Sequence, residues 1–171
     1  MNTAIGTITG AVDVTRVHIP RPPVNKHQYF SAKDKFHALK YEIATSIQTN
    51  QQSILWIYGP IKGSVSDLKI FQQKLKKEMG KNEKMIADKG YIGEDKLLTA
   101  SKEIKHSLKN KQQTDFETNL NSIRQDIERV NKRIKIFNAM GGKYRGDFDM
   151  HKVCAEVIVK MLNIIFKKHP L

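Results

Sequence analysis

The stretch Lys84-Met85-Ile86-Ala87-Asp88-Lys89-Gly90-Tyr91 decides how this chain is read. Three apolar residues run straight into an aspartate, then a lysine, a glycine and a tyrosine. A short apolar run closed by a turn signal reads as a buried strand that stops abruptly. An acid at the end of such a strand stands at the rim of a sheet, where α/β folds place ligands. Asp88 is therefore a candidate functional residue, and the flanking sequence supplies candidates to stand beside it.

Upstream, Gly63-Ser64-Val65-Ser66-Asp67 leads into Leu68, Phe71, Leu75 and Met79 at helical spacing, and Gly80 closes the helix. Ser66 is a natural N-cap, and Asp67 in the first turn complements the helix dipole. Before this helix, Ser53 to Tyr58 reads as a strand closed by Gly59-Pro60. It follows a strand from Lys35 to Ser46 across a polar turn at Asn50-Gln51-Gln52, which implies an antiparallel pair. Strand, helix and strand in this order form the crossover unit of a parallel pair, which gives an α/β class.

The first strand runs from about Thr7 to Ile19 and is rich in β-branched residues. Asp13 interrupts it. A carboxylate inside an otherwise apolar strand is costly to bury unless it is paired or bound to metal. Pro20 ends the strand, and Pro20 to Ala32 reads as a loop.

Downstream, Lys96 to Thr114 is polar and loop-like. Phe116, Leu120, Ile123, Ile127, Val130, Ile134 and Phe137 then alternate spacings of four and three, one apolar stripe on a long helix stopped by Gly141-Gly142. Arg124, Glu128, Asn131 and Lys135 share the adjoining face, so a carboxylate flanked by cations borders the packed side. A last helix spans about Asp149 to Lys168, with Val153, Val157, Met161, Leu162 and Ile165 as its expected core face. His151 and Cys154 on this helix read as packing residues.

The 171 residues suffice for one domain with a real core, and 39% hydrophobic with 27% charged residues fits a globular protein. The net charge of +13 points to an anionic partner, nucleic acid first. Cys154 is the only cysteine, which excludes an internal disulfide. No stretch is long and apolar enough to span a membrane, and the first ten residues lack the pattern of a signal peptide. There is no Walker-type loop, no Gly-x-Ser-x-Gly turn and no His-Glu-x-x-His. What remains is a set of acids in a basic protein, chemistry suited to hard divalent cations held by oxygen ligands.

Several blocks resemble a known family. Asp13-Val-Thr15, His18-Ile-Pro-Arg-Pro22 and Lys35-Phe-His-Ala-Leu-Lys40 resemble the opening of the DDE-superfamily transposase domain of Harbinger/PIF type and its bacterial insertion-sequence relatives. Gly59-Pro60 with Gly63-Ser-Val-Ser-Asp67 is similar to the family's Gly-Ser-x-x-Asp block. Ala87-Asp88-Lys89-Gly90-Tyr91-Ile92-Gly93 is similar to its second-aspartate block. Arg124, Glu128 and Lys135 stand at the spacing of its glutamate signature. The four blocks occur in the family's order and cover about Val12 to the end.

The resemblance implies an RNase H-like fold, a mixed five-stranded sheet flanked by helices, with residues 1–171 as one DDE-type catalytic domain. It implies a divalent-metal-dependent DNA endonuclease and strand-transfer core. Asp13, Asp88 and Glu128 would be the catalytic triad, binding Mg²⁺ or Mn²⁺ as two ions, with Asp67 as a further metal ligand. Lys89, Tyr91, Arg124 and Lys135 would contact DNA or order the site. The implied partners are DNA, with a second copy of the chain or a separate DNA-binding protein as further candidates, and no membrane. The implied location is the nucleus in a eukaryote or the cytoplasm in a bacterium, not the exterior.

Two departures set further expectations. Val14 stands where the family usually has glycine, which adds bulk beside the first aspartate. The chain opens almost at the first catalytic strand, without the family's helix-turn-helix region, so recognition of transposon ends is not expected of these residues alone. The competing reading is a truncated or domesticated derivative that binds DNA or a protein without cutting.

Overall fold

Strict alternation along one long strand sorts the molecule into two layers around a sheet. In Gly6–His18, here β2, Ala11 and Val17 pack on one face while Val12 and Val14 pack on the other, and all four are buried. The computed structural model describes residues 2–3, 6–47, 52–99 and 111–169. A two-residue strand, β1 (Asn2–Thr3), precedes β2 and pairs with it. The order then runs α1 (Lys26–Tyr29), β3 (Phe30–Ser31), β4 (Phe36–Ser46), β5 (Ile54–Lys62), α2 (Asp67–Gln73), α3 (Leu75–Glu78) and β6 (Glu83–Ala87). A 3₁₀ turn (Lys89–Tyr91), β7 (Leu97–Thr99), α4 (Lys111–Ile136), α5 (Asn138–Gly141) and α6 (Phe148–Lys168) complete it.

The five longer strands lie in the order β5-β4-β2-β6-β7. The first three form an antiparallel meander, and β6 and β7 add in parallel beyond β2. This is the mixed α/β sheet expected of an RNase H-like fold. The α2–α3 segment carries the chain from one side of the sheet to the other, so β6 pairs with β2 rather than with β5. On one face Ile70, Phe71, Leu75 and Met79 pack against Val12, Val14, Met85 and Ala87. On the other, Val130 and Ile134 of α4 join Ala155, Ile158, Leu162 and Phe166 of α6 over Val17, Leu39, Tyr41 and Ile43.

Several elements differ from the sequence expectation. β5 does not close at Tyr58 but continues through Gly59-Pro60 to Lys62. It pairs only with β4, and the ladder shifts register between Lys40 and Glu42, opposite this dipeptide. An edge strand with an irregularity tolerates a residue that cannot donate a backbone hydrogen bond. The helix expected to run unbroken to Met79 leaves helical dihedrals at Lys74 (φ −132°) and restarts as α3. The Pro20–Ala32 loop contains α1 and the whole of β3. The Lys96–Thr114 segment contains β7 and the first turn of α4, while residues 100–110 lie outside the described residues.

The largest correction concerns α6. Its core face is His151, Ala155, Ile158, Val159, Leu162 and Phe166. Of the expected set only Leu162 is buried; Val153, Val157, Met161 and Ile165 are exposed. This helix is apolar around most of its circumference, so spacing alone admits two faces. His151 is fully buried, as a packing residue should be. Its Nε2 donates to the Ala139 carbonyl at 2.8 Å, which leaves Nδ1 to accept from the Tyr41 hydroxyl at 2.6 Å. Asn163 secures the helix to the sheet edge. Its Oδ1 accepts from the Ile54 N–H at 2.8 Å and its Nδ2 donates to the Ile54 carbonyl at 2.9 Å.

Candidate active site

The parallel ladder between β2 and β6 sets the site. Gly10 lies opposite Met85 and Ala11 opposite Ile86. Continuing that register by two residues brings Asp13 level with Asp88. Neighbouring strands are about 4.8 Å apart, so two acids at the same height on adjacent strands stand close together. By alternation Asp13 shares its face with Ala11, and Asp88 shares its face with Ile86. Those two apolar residues pack against Ile127 of α4. The same contact that docks the helix therefore carries Glu128, the next residue, to the acids.

Asp13, Asp88, Glu128 and Arg124 line one cleft of about 70 Å³, floored by Val12, Ile86, Ala87 and Ile127. Helix α4 meets both strand acids. Arg124 Nη2 donates to Asp88 Oδ1 at 3.1 Å, and Asn131 Nδ2 donates to Asp13 Oδ2 at 2.8 Å. Glu128 lies between these two contacts on the helix and is exposed. Asn131 Oδ1 is buried without a hydrogen-bond partner among the described residues. Burial pushes the Asp13 carboxyl above the usual carboxylate range, and the negative charges of Asp67 and Asp88 push it further; the Val14 backbone hydrogen bond and Arg16 oppose this. Among the described residues, no three acid, histidine or cysteine side chains are drawn into a ready coordination cluster. The strand acids instead turn to Asn131 and Arg124.

Asp67 stands elsewhere. It opens α2, where the Ser66 hydroxyl accepts from the Lys69 N–H as an N-cap. Its two oxygens are taken by Arg16 Nη2 at 2.8 Å and Lys40 Nζ at 2.9 Å. Arg16 is three residues from Asp13, so alternation turns it to the opposite face of the sheet. Gly63 sits at the loop entering this helix because a Cβ there would strike the carbonyl oxygens of Tyr29 and Ala38.

Val14 also points away from the cleft. It is buried in the cluster with Ile70 and Phe71, so its extra bulk does not crowd Asp13. Tyr91 is 1% exposed and packs edge-on to Phe71. Expected at the strand end as a DNA contact, it is a core residue in this structure. Burial raises its phenol far above the ordinary tyrosine range. Lys89 and Lys135 are both exposed and do not line the cleft. The residue whose part the sequence did not disclose is Asn131. Its three-residue spacing from Glu128 put it on the right face, but nothing in the pattern identified Asp13 as its partner.

An RNase H-like sheet with one acid on its central strand and a second just past the end of the parallel neighbour, faced by a third acid on a packed helix, defines the class of protein to which this arrangement belongs. Residues 12–165 match the model of the DDE superfamily endonuclease family, and the chain belongs to that family. The chain is also 35% identical over 138 residues to a probable transposase for insertion sequence element IS702 from Microchaete diplosiphon; the match covers 78% of this chain and 49% of that protein. The chain thus spans about half the length of this curated relative. No solved structure matches it significantly. No helix among the described residues is long and apolar enough to cross a membrane.

Proposed function

We propose that this chain is the catalytic part of a divalent-metal-dependent DNA endonuclease and strand-transfer enzyme of transposase type, with Asp13, Asp88 and Glu128 as its carboxylate triad. The observation that carries this reading is the meeting of three acids, distant in sequence, at one cleft. The residues fit hard cations: the donors are all oxygen, one carboxyl is held buried beside a second acid, and the Asn131 Oδ1 is unpartnered. Mg²⁺ or Mn²⁺, as one or two ions held by the triad, would supply water activation and stabilisation of the leaving oxygen at a phosphodiester.

The chain's own residues then have separable tasks. Asp13 and Asp88 offer oxygens at heights fixed by the backbone ladder, which keeps the pair in register. Asn131 orients the Asp13 carboxylate, and Arg124 aligns Asp88. Lys89, exposed in the turn directly after Asp88, and Lys135, exposed two turns beyond Glu128, are suited to DNA phosphates. The surplus of positive charge serves the same end. Asp67 is left out of the ligand set because two cations already satisfy it.

The test is nicking of supercoiled plasmid by the purified protein with Mn²⁺ or Mg²⁺. Metal-dependent nicking should fall by about a thousandfold or more in Asp88→Asn and Asp13→Asn. DNA binding without metal-dependent nicking would instead favour a derivative that binds and does not cut.

A further inference from the structure

The exposed face of α6 has a symmetry that its buried face lacks. Met150, Val153, Val157, Met161 and Ile164 are each 45–60% exposed and form one stripe along the outer side of the helix. Their positions are palindromic about Val157: four residues lead to Val153 and Met161, and seven to Met150 and Ile164. Ile165, 43% exposed, lies at one border of the stripe without an apolar counterpart, since Asp149 stands at the mirrored position. Contiguous exposed apolar patches beyond a few hundred Å² are rare on monomeric proteins and mark contact surfaces. A surface read identically in both directions is what a two-fold contact requires.

The charges beside the stripe select its direction. Asp149, Glu156, Lys160 and Lys167 are exposed and fall along the flank nearest the stripe, acids in the first half and lysines in the second. Lys152, also exposed, lies farther from the stripe, where it and Glu156 line a groove with Tyr58 and Gly59 of β5. Two copies of α6 packed antiparallel would bring the same flank of each together in reverse. Asp149 would then meet Lys167, and Glu156 would meet Lys160, both within a residue of the centre that the apolar stripe defines. A parallel pair would set this flank against the opposite flank of the other copy, and these acids and lysines would not meet.

We propose that α6 is a self-association surface, and that two copies of this chain pair antiparallel through it about a two-fold axis at Val157. The helix is rigidly presented for this role, since its inner face is buried against the sheet and Asn163 secures it to the edge strand β5. Met150 of each copy faces Ile164 of the other, Val153 faces Met161, and Val157 faces itself. The surface lies on α6 and shares no residue with the cleft, so the inference does not depend on catalysis.

Sedimentation equilibrium of the 171-residue chain tests it. The expected result is a dimer in the micromolar range that Val157→Asp converts to a monomer with an unchanged far-ultraviolet circular dichroism spectrum and a melting temperature that no longer depends on concentration. Asp149→Lys with Glu156→Lys should weaken the dimer at least tenfold, and adding Lys160→Glu with Lys167→Glu should restore it. In a Cys154→Ser background, Met150→Cys together with Ile164→Cys should give a disulfide-linked dimer, while neither alone does. A monomer at all concentrations would overturn the proposal and assign the stripe to another partner, such as a further segment of a longer protein. A dimer that survives Val157→Asp would overturn it equally. Cross-linking by Met150→Cys alone would overturn the antiparallel arrangement.

Discussion

The two faces of the sheet treat a carboxylate in opposite ways. On the face covered by α2, Asp67 is neutralised by Arg16 and by Lys40, which is itself 6% exposed. On the face covered by α4, Asp13 receives a neutral amide from Asn131, while burial and two neighbouring acids raise its affinity for a proton. An acid with two internal cations is finished structure. An acid held in low dielectric without a full counter-charge is poised to take up a cation from outside. The comparison separates the acid that holds α2 to the sheet from the acids that we assign to chemistry.

Asp67→Ala should have the largest effect on stability. It leaves Lys40 buried without its carboxylate, at a cost of about 3–5 kcal/mol in chemical denaturation. The milder Asp67→Asn should leave Mn²⁺ affinity near the parent value. A loss matching that of Asp13→Asn would break the distinction and return Asp67 to the metal-ligand set.

Glu42 sharpens the same contrast through pH. It is fully buried on the Asp67 side, opposite Val14, where it accepts one hydrogen bond from Trp56 at 3.2 Å. Burial raises its carboxyl to about 7; the negative charge of Asp67 adds to this, and the Trp56 hydrogen bond partly opposes it. A folded-state value above the unfolded one means that the folded state holds the proton more tightly. The stabilisation is complete below about pH 4.5 and is lost as pH rises through about 7. Glu42→Gln should therefore gain on the parent by up to about 3 kcal/mol between pH 5 and 8. Urea melts across that range check it, and parallel pH profiles would contradict it.

Asn131→Ala should be smaller still. Removing an outer hydrogen bond that orients a ligand typically lowers metal affinity by about 10–100-fold. Isothermal titration with Mn²⁺ should show that loss with little change in melting temperature. An Asn131→Asp variant that bound more tightly would show that this position reaches the metal directly.

Much of this arrangement was legible in the sequence because it rests on period-two and period-3.6 patterns. An acid interrupting a β-branched strand marked Asp13, an acid after an apolar run marked Asp88, and the stripe through Ile127 set Glu128 beside a packed face. What local pattern cannot supply is which strands are neighbours. That decided whether Asp67 joined the cleft, and only the parity of Arg16 and Lys40 against Asp13 shows that it faces the other way. The burial of Tyr91 was not legible because a tyrosine after a glycine turn has no local signal of direction. The core face of α6 was misread because the helix has a second apolar face, and that ambiguity is the feature that suggests its partner.

The most direct test of the triad is Mn²⁺ binding itself, read as free Mn²⁺ by electron paramagnetic resonance during titration of the purified chain. The account predicts saturable binding that weakens at least tenfold in Asp13→Asn and in Asp88→Asn and persists in Asp67→Asn. Binding unchanged in the combined Asp13→Asn, Asp88→Asn, Glu128→Gln variant would contradict it.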